Sequence, residues 1–185
     1  YALLLHRSGQ FGKQSLRGAL DRLKERGTVQ KIGVSIYSPD ELDAIPFAGA
    51  IDIVQAPLNL VDRRLVTSGW LPRLTDCSIE VHIRSAFMQG LLLMPFKSIP
   101  KKFSPWCKTW AAWHDWLSGN EMSAIQACLG FALSFPEVDR VVVGVETLAQ
   151  LSQLIAAARS PFGMEFPDIA STDESLINPS LWSSL

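Results

Sequence analysis

The chain has 185 residues, a formal net charge of −1 and 48% hydrophobic residues, which suits one globular domain over residues 1–185. Near-zero net charge with scattered lysines and arginines argues against a nucleic-acid groove or a surface for anionic membranes. No apolar run is long enough to cross a bilayer, and no signal peptide is predicted. Cys77, Cys107 and Cys128 lack disulfide or metal-ligand spacing, so we expect reduced thiols, no metal site and a cytoplasmic protein.

A regular alternation of strand and helix patterns runs along the chain. The predicted strands cover residues 1–6, 31–37, 50–55, 79–84 and 138–145, and the first is expected to be fully buried. The predicted helices cover residues 16–27, the residues after Ser38, 63–74 with a break near Gly69 and Pro72, 121–135, and the residues after Thr147. Capping boxes are predicted at Ser38 with Glu41 and at Thr147 with Gln150. This alternation predicts a parallel sheet with right-handed crossovers.

Two segments do not follow the alternation. Residues 91–120 are predicted to form an inserted loop and helix, in which Trp106, Trp110, Trp113 and Trp116 recur on one helical face. A stripe of core or interface residues is favoured there over an aromatic substrate cage. Residues 160–185 are rich in Pro, Ser and Asp and are predicted to form a tail around the outside of the domain.

The strands lead into polar loops, as in an α/β barrel, where the loops at the carboxyl ends of the strands build the site. A barrel needs eight strands and five are visible, so the fold class is α/β with about five C-terminal βα units of a (β/α)8 barrel. Phosphate groups often bind at the loops after the last two strands, here residues 84–90 and 144–150. Gly144 permits close approach of a ligand, and N–H groups at the start of the last helix would face an anion. Ordinary βα loops with good caps are the alternative interpretation.

The sequence contains three histidines, at positions 6, 82 and 114. His6 follows the first strand, where a barrel places functional groups, and it can donate to a developing alkoxide or shuttle a proton. A structural or solvated role is the alternative for His6. His82 lies within a strand pattern and His114 within the tryptophan segment, so both are predicted to be packing residues.

Five ordered motifs resemble the C-terminal portion of the aldo-keto reductases. They are LLLH, IGVSIYSPDEL, DIVQAPLNL, IEVHIRSAFMQGLLL and VDRVVVGVETLAQL. The resemblance implies an NAD(P)H-dependent carbonyl reductase on an (α/β)8 barrel. His6 would orient the substrate carbonyl, and Ser35 and Gln55 would hold the nicotinamide carboxamide. Arg84 falls where the family places a residue against the nicotinamide face, commonly an aromatic one, and a guanidinium plane can stack there as well.

The resemblance also implies a site for the rest of the nucleotide. Asn59 matches part of a Tyr-Asn pair, with Leu58 in place of the tyrosine, and Ile36 replaces the asparagine that usually follows the serine. The residues matched to the pyrophosphate loop and to the adenosine-phosphate loop are Ser85, Gln89, Gly90, Gly144, Glu146 and Gln150. The last loop contains a carboxylate and no cationic side chain. The carboxylate would repel the 2′-phosphate of NADPH, so NADH is favoured over NADPH.

The family's catalytic aspartate, tyrosine and lysine belong to the first half of the barrel, and their motifs do not occur in this sequence. We therefore expect the 185 residues alone to lack the proton donor for efficient hydride transfer. An intact chain would reduce an aldehyde or ketone. Its partner would be the missing N-terminal half of the barrel or another copy in an oligomer. The alternatives are a non-catalytic nucleotide-binding or assembly module and another phosphate-handling barrel enzyme. Substrate identity would be set by residues 91–120 and by the tail, where a tryptophan-lined pocket would favour apolar or ring-bearing carbonyls.

Overall fold

The computed structural model describes residues 1–45, 51–160, 163 and 165–184. Where the sequence predicts one domain, Cα distances group the chain into two compact units. The first comprises Tyr1–Pro57, Arg64–Arg84 and Glu137–Val141, and the second comprises Leu58–Arg63, Ser85–Pro136 and Val142–Leu185. No helix in the described ranges is both long and apolar enough to span a bilayer.

The first unit is a parallel sheet with helices. Its strands are β1 (Ala2–Leu5), β2 (Lys31–Ser35), β3 (Ile53–Pro57), β4 (Glu80–Arg84) and β5 (Arg140–Val141). Within the described residues the strands are adjacent in chain order, every pair is parallel, and β1 and β5 are the edges, so the barrel is not closed. Its helices are α1 (Gln14–Glu25), α2 (Arg64–Thr67) and α3 (Trp70–Asp76), and a 3-10 helix covers Pro39–Ala44. The predicted parallel α/β sheet is confirmed.

The sheet has one apolar and one polar face because alternate residues of a strand point to opposite sides. On the apolar face, Ile32, Val34, Val54, Val81 and Ile83 are almost completely buried, and α1 packs on β2 while α3 packs on β4. Residues paired across the other face are largely polar. The register joins Ser35 to Gln55, Gln55 to His82, and His82 to Arg140. This polar face carries most of the candidate functional groups of the unit.

Gly33 is required where β2 and β3 approach each other on the polar face. A Cβ atom at this position would lie 2.1 Å from the carbonyl oxygen of Ile53 and 2.8 Å from a methyl carbon of Leu4. Any larger residue would therefore push the two strands apart.

Several predicted boundaries were wrong. β1 is an edge strand rather than a fully buried one, and Leu3 is 36% exposed. The predicted strand over 138–145 shortens to the two residues of β5, and β3 extends to Pro57, with Ala50 outside the described residues. The helix over 63–74 is two helices, because Gly69 at φ 75° separates them, and Pro72 is accommodated inside α3. The segment after Ser38 is a 3-10 helix, with Glu41 accepting from the Ser38 N–H at 3.1 Å as the capping box predicts.

The second unit is helical, with α4 (Cys107–Gly119), α5 (Ala124–Leu133), α6 (Leu148–Ala158) and α7 (Glu174–Ile177). Short 3-10 helices precede α4, and another follows α7. Trp110 and Trp113 are 2% and 0% exposed, and their indole N–H groups donate to the carbonyl oxygens of Phe103 and Leu92, both at 3.0 Å. These two tryptophans are therefore core residues, as the preferred interpretation predicts, whereas Trp106 and Trp116 are only half-buried.

The C-terminal segment does not merely pass over the outside of the domain. Ile169, Leu176 and Ile177 are each under 5% exposed. Arg63 holds the segment by donating to the Pro167 carbonyl oxygen at 2.5 Å, and burial lowers the pKa of its guanidinium although Asp168 opposes this. A few apolar residues within the Pro- and Ser-rich stretch therefore belong to the core, and the wrapping tail stays a prediction.

Candidate functional site

Ser35, the last residue of β2, meets Gln55, the middle residue of β3. They are direct partners in the strand register, and the Ser35 hydroxyl donates to Gln55 Oε1 at 3.2 Å. Ser35 is 8% exposed, whereas Gln55 is half-buried. The Gln55 amide nitrogen has no hydrogen-bond partner among the described residues. The structure thus brings together the two side chains that sequence reasoning assigned to one carboxamide.

Arg84 ends β4 and lies against the loop that follows β2. Its Nη2 donates to the carbonyl oxygen of Ile36 at 2.8 Å, and its guanidinium carbon is 4.8 Å from the centroid of the Tyr37 ring. Ile36 N–H in turn donates to the Gln55 carbonyl oxygen at 2.9 Å. Ile36 lacks the side-chain amide of the expected asparagine, yet its backbone binds both Gln55 of β3 and Arg84 of β4. Contact of Arg84 with a nicotinamide stays a prediction.

His6 directly follows β1, is exposed, and lies beside Tyr37. The two ring centroids are 5.9 Å apart, with an interplanar angle of 55°. Tyr37 was missed by the sequence analysis. The available signal was an aromatic residue two positions after Ser35, just past the strand end. In this unit His6, Ser35 and Arg84 thus lie at the carboxyl ends of β1, β2 and β4, and Gln55 lies within β3.

A second polar cluster centres on Glu80 on the same face of the sheet. Its carboxylate accepts from the Tyr1 hydroxyl at 2.7 Å and pairs with Lys31 Nζ at 2.6 Å and His82 Nε2 at 3.2 Å. The hydrogen bond from Lys31, assisted by those from Tyr1 and His82, lowers the pKa of Glu80 to about 2, while Glu80 raises the pKa of Lys31. His82 is 7% exposed and therefore buried as predicted, but it packs within an ionic cluster that the sequence did not reveal.

The loop after β4, in the second unit, has an unusual backbone. Ser85, Met88 and Gln89 have φ of 59°, 49° and 54°, and Gly90 has φ of 84°. Left-handed conformations are uncommon for residues other than glycine and cluster at functional sites. Met88 is 1% exposed whereas Gln89 is exposed, so one apolar side chain anchors the loop while its polar tip faces solvent. A binding role for the loop at 85–90 stays a prediction.

Asn59 holds this loop in place. Its side chain is 3% exposed, donates to the Ser85 carbonyl oxygen at 3.1 Å, and accepts from the N–H groups of Val61 and Asp62 at 2.9 and 2.8 Å. The amide thus braces two turns of the second unit. Direct contact between Asn59 and a nucleotide stays a prediction.

The capping box that starts α6 is present. Gln150 Oε1 accepts from the N–H groups of Glu146 and Thr147 at 2.8 and 3.2 Å, and the Thr147 hydroxyl accepts from Gln150 N–H at 3.2 Å. Three N–H groups at this helix start are therefore already bonded, so fewer of them face an anion than the sequence predicts. Gly144 and the Glu146 side chain are exposed, and a Cβ atom at Gly144 would meet nothing within 4 Å.

Comparisons with known proteins place this geometry in context. The sequence profile of the Aldo/keto reductase family matches residues 13–173. No curated protein sequence matches the chain. The holo form of an aldo-keto reductase from Bacillus halodurans matches with 17% identity and a TM-score of 0.67, covering 86% of this chain and 55% of that one. Its apo form gives 18% identity, a TM-score of 0.69, and coverage of 86% and 56%.

A thermostable aldo-keto reductase, Tm1743, in complex with the inhibitor epalrestat is also similar, with 16% identity and a TM-score of 0.61 over 88% of this chain and 55% of that one. At such identities the likeness shows the fold, and the chain spans about half the length of these reductases. The profile match, by contrast, covers most of the sequence. The chain therefore belongs to the aldo/keto reductase family.

Proposed function

We propose that this chain supplies the nicotinamide-nucleotide side of an NAD(P)H-dependent reductase that converts an aldehyde or ketone to an alcohol. The observation that carries the proposal is the Ser35–Gln55 pair on the adjacent strands β2 and β3. A carboxamide needs both a donor and an acceptor, and a serine hydroxyl beside a glutamine amide offers both. When bound, the reduced nicotinamide supplies the hydride for the carbonyl carbon.

The other strand-end residues of the first unit have complementary roles in this proposal. His6 is exposed and can donate a hydrogen bond to a carbonyl oxygen that becomes an alkoxide. The planar guanidinium of Arg84 is held by Ile36 and can stack on an aromatic ring. These residues bind and orient the reactants, and none replaces the tyrosine acid and lysine of the family. We therefore propose that residues 1–185 alone do not turn over and that the remaining βα units, or a partner chain that contributes them, are needed.

Residues of the second unit are proposed for the phosphate and adenosine portions. The loop with Ser85, Gln89 and Gly90 would contact the pyrophosphate, and the segment from Gly144 to Gln150 would contact the adenosine ribose. Glu146 is exposed, and residues 144–150 include no lysine or arginine. A carboxylate repels a 2′-phosphate and accepts from a free ribose hydroxyl, which favours NADH.

The test is titration of the chain with NADH, NADPH and ADP-ribose, followed by quenching of tryptophan fluorescence. We expect NADH to bind more tightly than NADPH. Glu146→Lys should reverse the order, while Glu165→Lys, at another exposed glutamate, should leave it unchanged. Absence of binding by all three ligands up to millimolar concentration would contradict the proposal.

Gly144→Ala provides a second test, because the fold has room for the added methyl group. We expect unchanged thermal stability and weaker nucleotide binding. Equal binding by Gly144→Ala would show that the backbone at Gly144 does not lie close to the ligand.

A nucleotide-binding or assembly module without turnover is the second candidate. In this candidate the Ser35–Gln55 pair would hold the nucleotide carboxamide without hydride transfer. Reductase assays on the chain with and without a polypeptide carrying the first three βα units would separate the two functions. Turnover only after addition supports the reductase, whereas nucleotide binding with no turnover in either case supports the module.

A further inference from the structure

Tyr37 contacts both of the functional side chains that the proposed reductase needs for its substrate and its nicotinamide. One contact is with the guanidinium of Arg84, whose central carbon is 4.8 Å from the ring centroid. The other is with the imidazole of His6, at 5.9 Å between centroids. Arg84 ends β4 and His6 directly follows β1. These strands are separated by two others in the sheet, so Tyr37 connects distant strand ends.

The backbone of Tyr37 is fixed on both sides. Its N–H donates to Glu41 Oε1 at 2.6 Å, and its carbonyl oxygen accepts from Arg64 Nη2 at 3.1 Å. Glu41 also accepts from the Ser8 hydroxyl, which lies just beyond His6 in the loop after β1. The backbone of Tyr37 is therefore held by Arg64 and by Glu41, which is itself bonded to Ser8, rather than by its own loop alone.

We propose that Tyr37 is a positioning residue that sets the orientation of Arg84 and His6 for binding of the nicotinamide and the carbonyl. This inference rests on the proposed function and deepens it. An aromatic face attracts a guanidinium, and holding that group in one plane reduces the entropy lost when a second ring stacks on it. The Tyr37 hydroxyl makes no hydrogen bond within the described part of the chain, so the ring and not the hydroxyl is expected to act.

The test compares Tyr37→Leu, which removes the ring, with Tyr37→Phe, which keeps it. Binding of NADH and of ADP-ribose, which lacks the nicotinamide, is measured for both variants by fluorescence quenching. We expect Tyr37→Leu to weaken NADH binding by roughly two- to fivefold and to leave ADP-ribose binding unchanged. Tyr37→Phe should match the wild type for both ligands. Equal NADH binding by Tyr37→Leu, or a parallel loss of ADP-ribose binding, would overturn the inference.

A measurement without ligand separates this inference from the proposed function. The ring current of Tyr37 acts on the protons of His6, so the NMR signals of His6 should shift in Tyr37→Leu and stay in place in Tyr37→Phe. Unshifted His6 signals in Tyr37→Leu would refute the positioning role even if NADH binds. A wild-type chain that binds no nucleotide would refute the proposed function, while the NMR comparison would still decide whether Tyr37 orients His6.

Discussion

The cluster around Glu80 leads to a quantitative prediction on stability. Replacing Glu80 by Gln keeps the shape but removes the charge that Lys31, Tyr1 and His82 surround. A pKa of about 2 against an ordinary value of 4.5 corresponds to about 3 kcal/mol at neutral pH. The Lys31 and Glu80 side chains are 31% and 20% exposed, so solvent screens the pair and we expect about 1–2 kcal/mol.

The pH dependence has a definite sign. Because the pKa of Glu80 is lower in the folded chain, its stabilisation is fully present above pH 4.5 and is lost as the pH falls towards 2. Urea unfolding of wild type and Glu80→Gln should therefore differ at pH 7 and converge in acid. Glu25→Gln, at an exposed carboxylate in α1, is the control and should change the unfolding free energy by less than about 0.5 kcal/mol. A difference for Glu80→Gln that remains constant down to pH 2 would refute the ionic explanation.

Three further perturbations have outcomes that follow from packing and burial. Gly33→Ala should destabilise the chain by about 1–3 kcal/mol, measured by urea unfolding, because its methyl group would collide with the Ile53 carbonyl. Trp113→Ala should lower the free energy of unfolding, measured in the same way, by about 3–5 kcal/mol because the side chain is fully buried. A small loss would mean that the surrounding residues collapse into the cavity left by the indole ring. Burial lowers the pKa of His114, and the charge of Asp115 opposes this effect. The free energy of unfolding of the wild type should therefore fall relative to that of His114→Phe as the pH drops below 6.5. Unfolding free energies that change in parallel from about pH 7 to 5 would contradict this prediction.

Local signals in the sequence predicted local structure well. Thr147 and Gln150 form the expected capping box because its partners lie three residues apart and need no tertiary information. Parallel pairing also followed from the alternation of strands with helices. In the first unit, the proximity of Ser35 and Gln55 could be predicted because the resemblance to the family assigned both residues to the nicotinamide carboxamide.

Features that depend on sheet position could not be read from the pattern. An all-apolar run predicted a buried first strand, but β1 lies at an edge and Leu3 is partly exposed. The apolar residues beyond Val141 predicted a long fifth strand, yet the pairing with β4 ends at Val141, and Val142 and Val145 are exposed. The contacts of Tyr37 and of Glu80 join distant segments, so no window of sequence contains them.

The contacts of Tyr1 have a consequence for the kinetics of folding. Neighbouring strands follow one another in the chain, so pairing can proceed stepwise with modest loop-closure entropy at each step. The Tyr1–Glu80 hydrogen bonds span 79 residues and need β1 through β4 to be in place, and the same ring lies 5.3 Å from the guanidinium carbon of Arg140 at β5. Such late contacts are absent from an early transition state. They therefore act mainly on the unfolding rate, so the contacts of Tyr1 help to determine how long the sheet of the first unit stays folded.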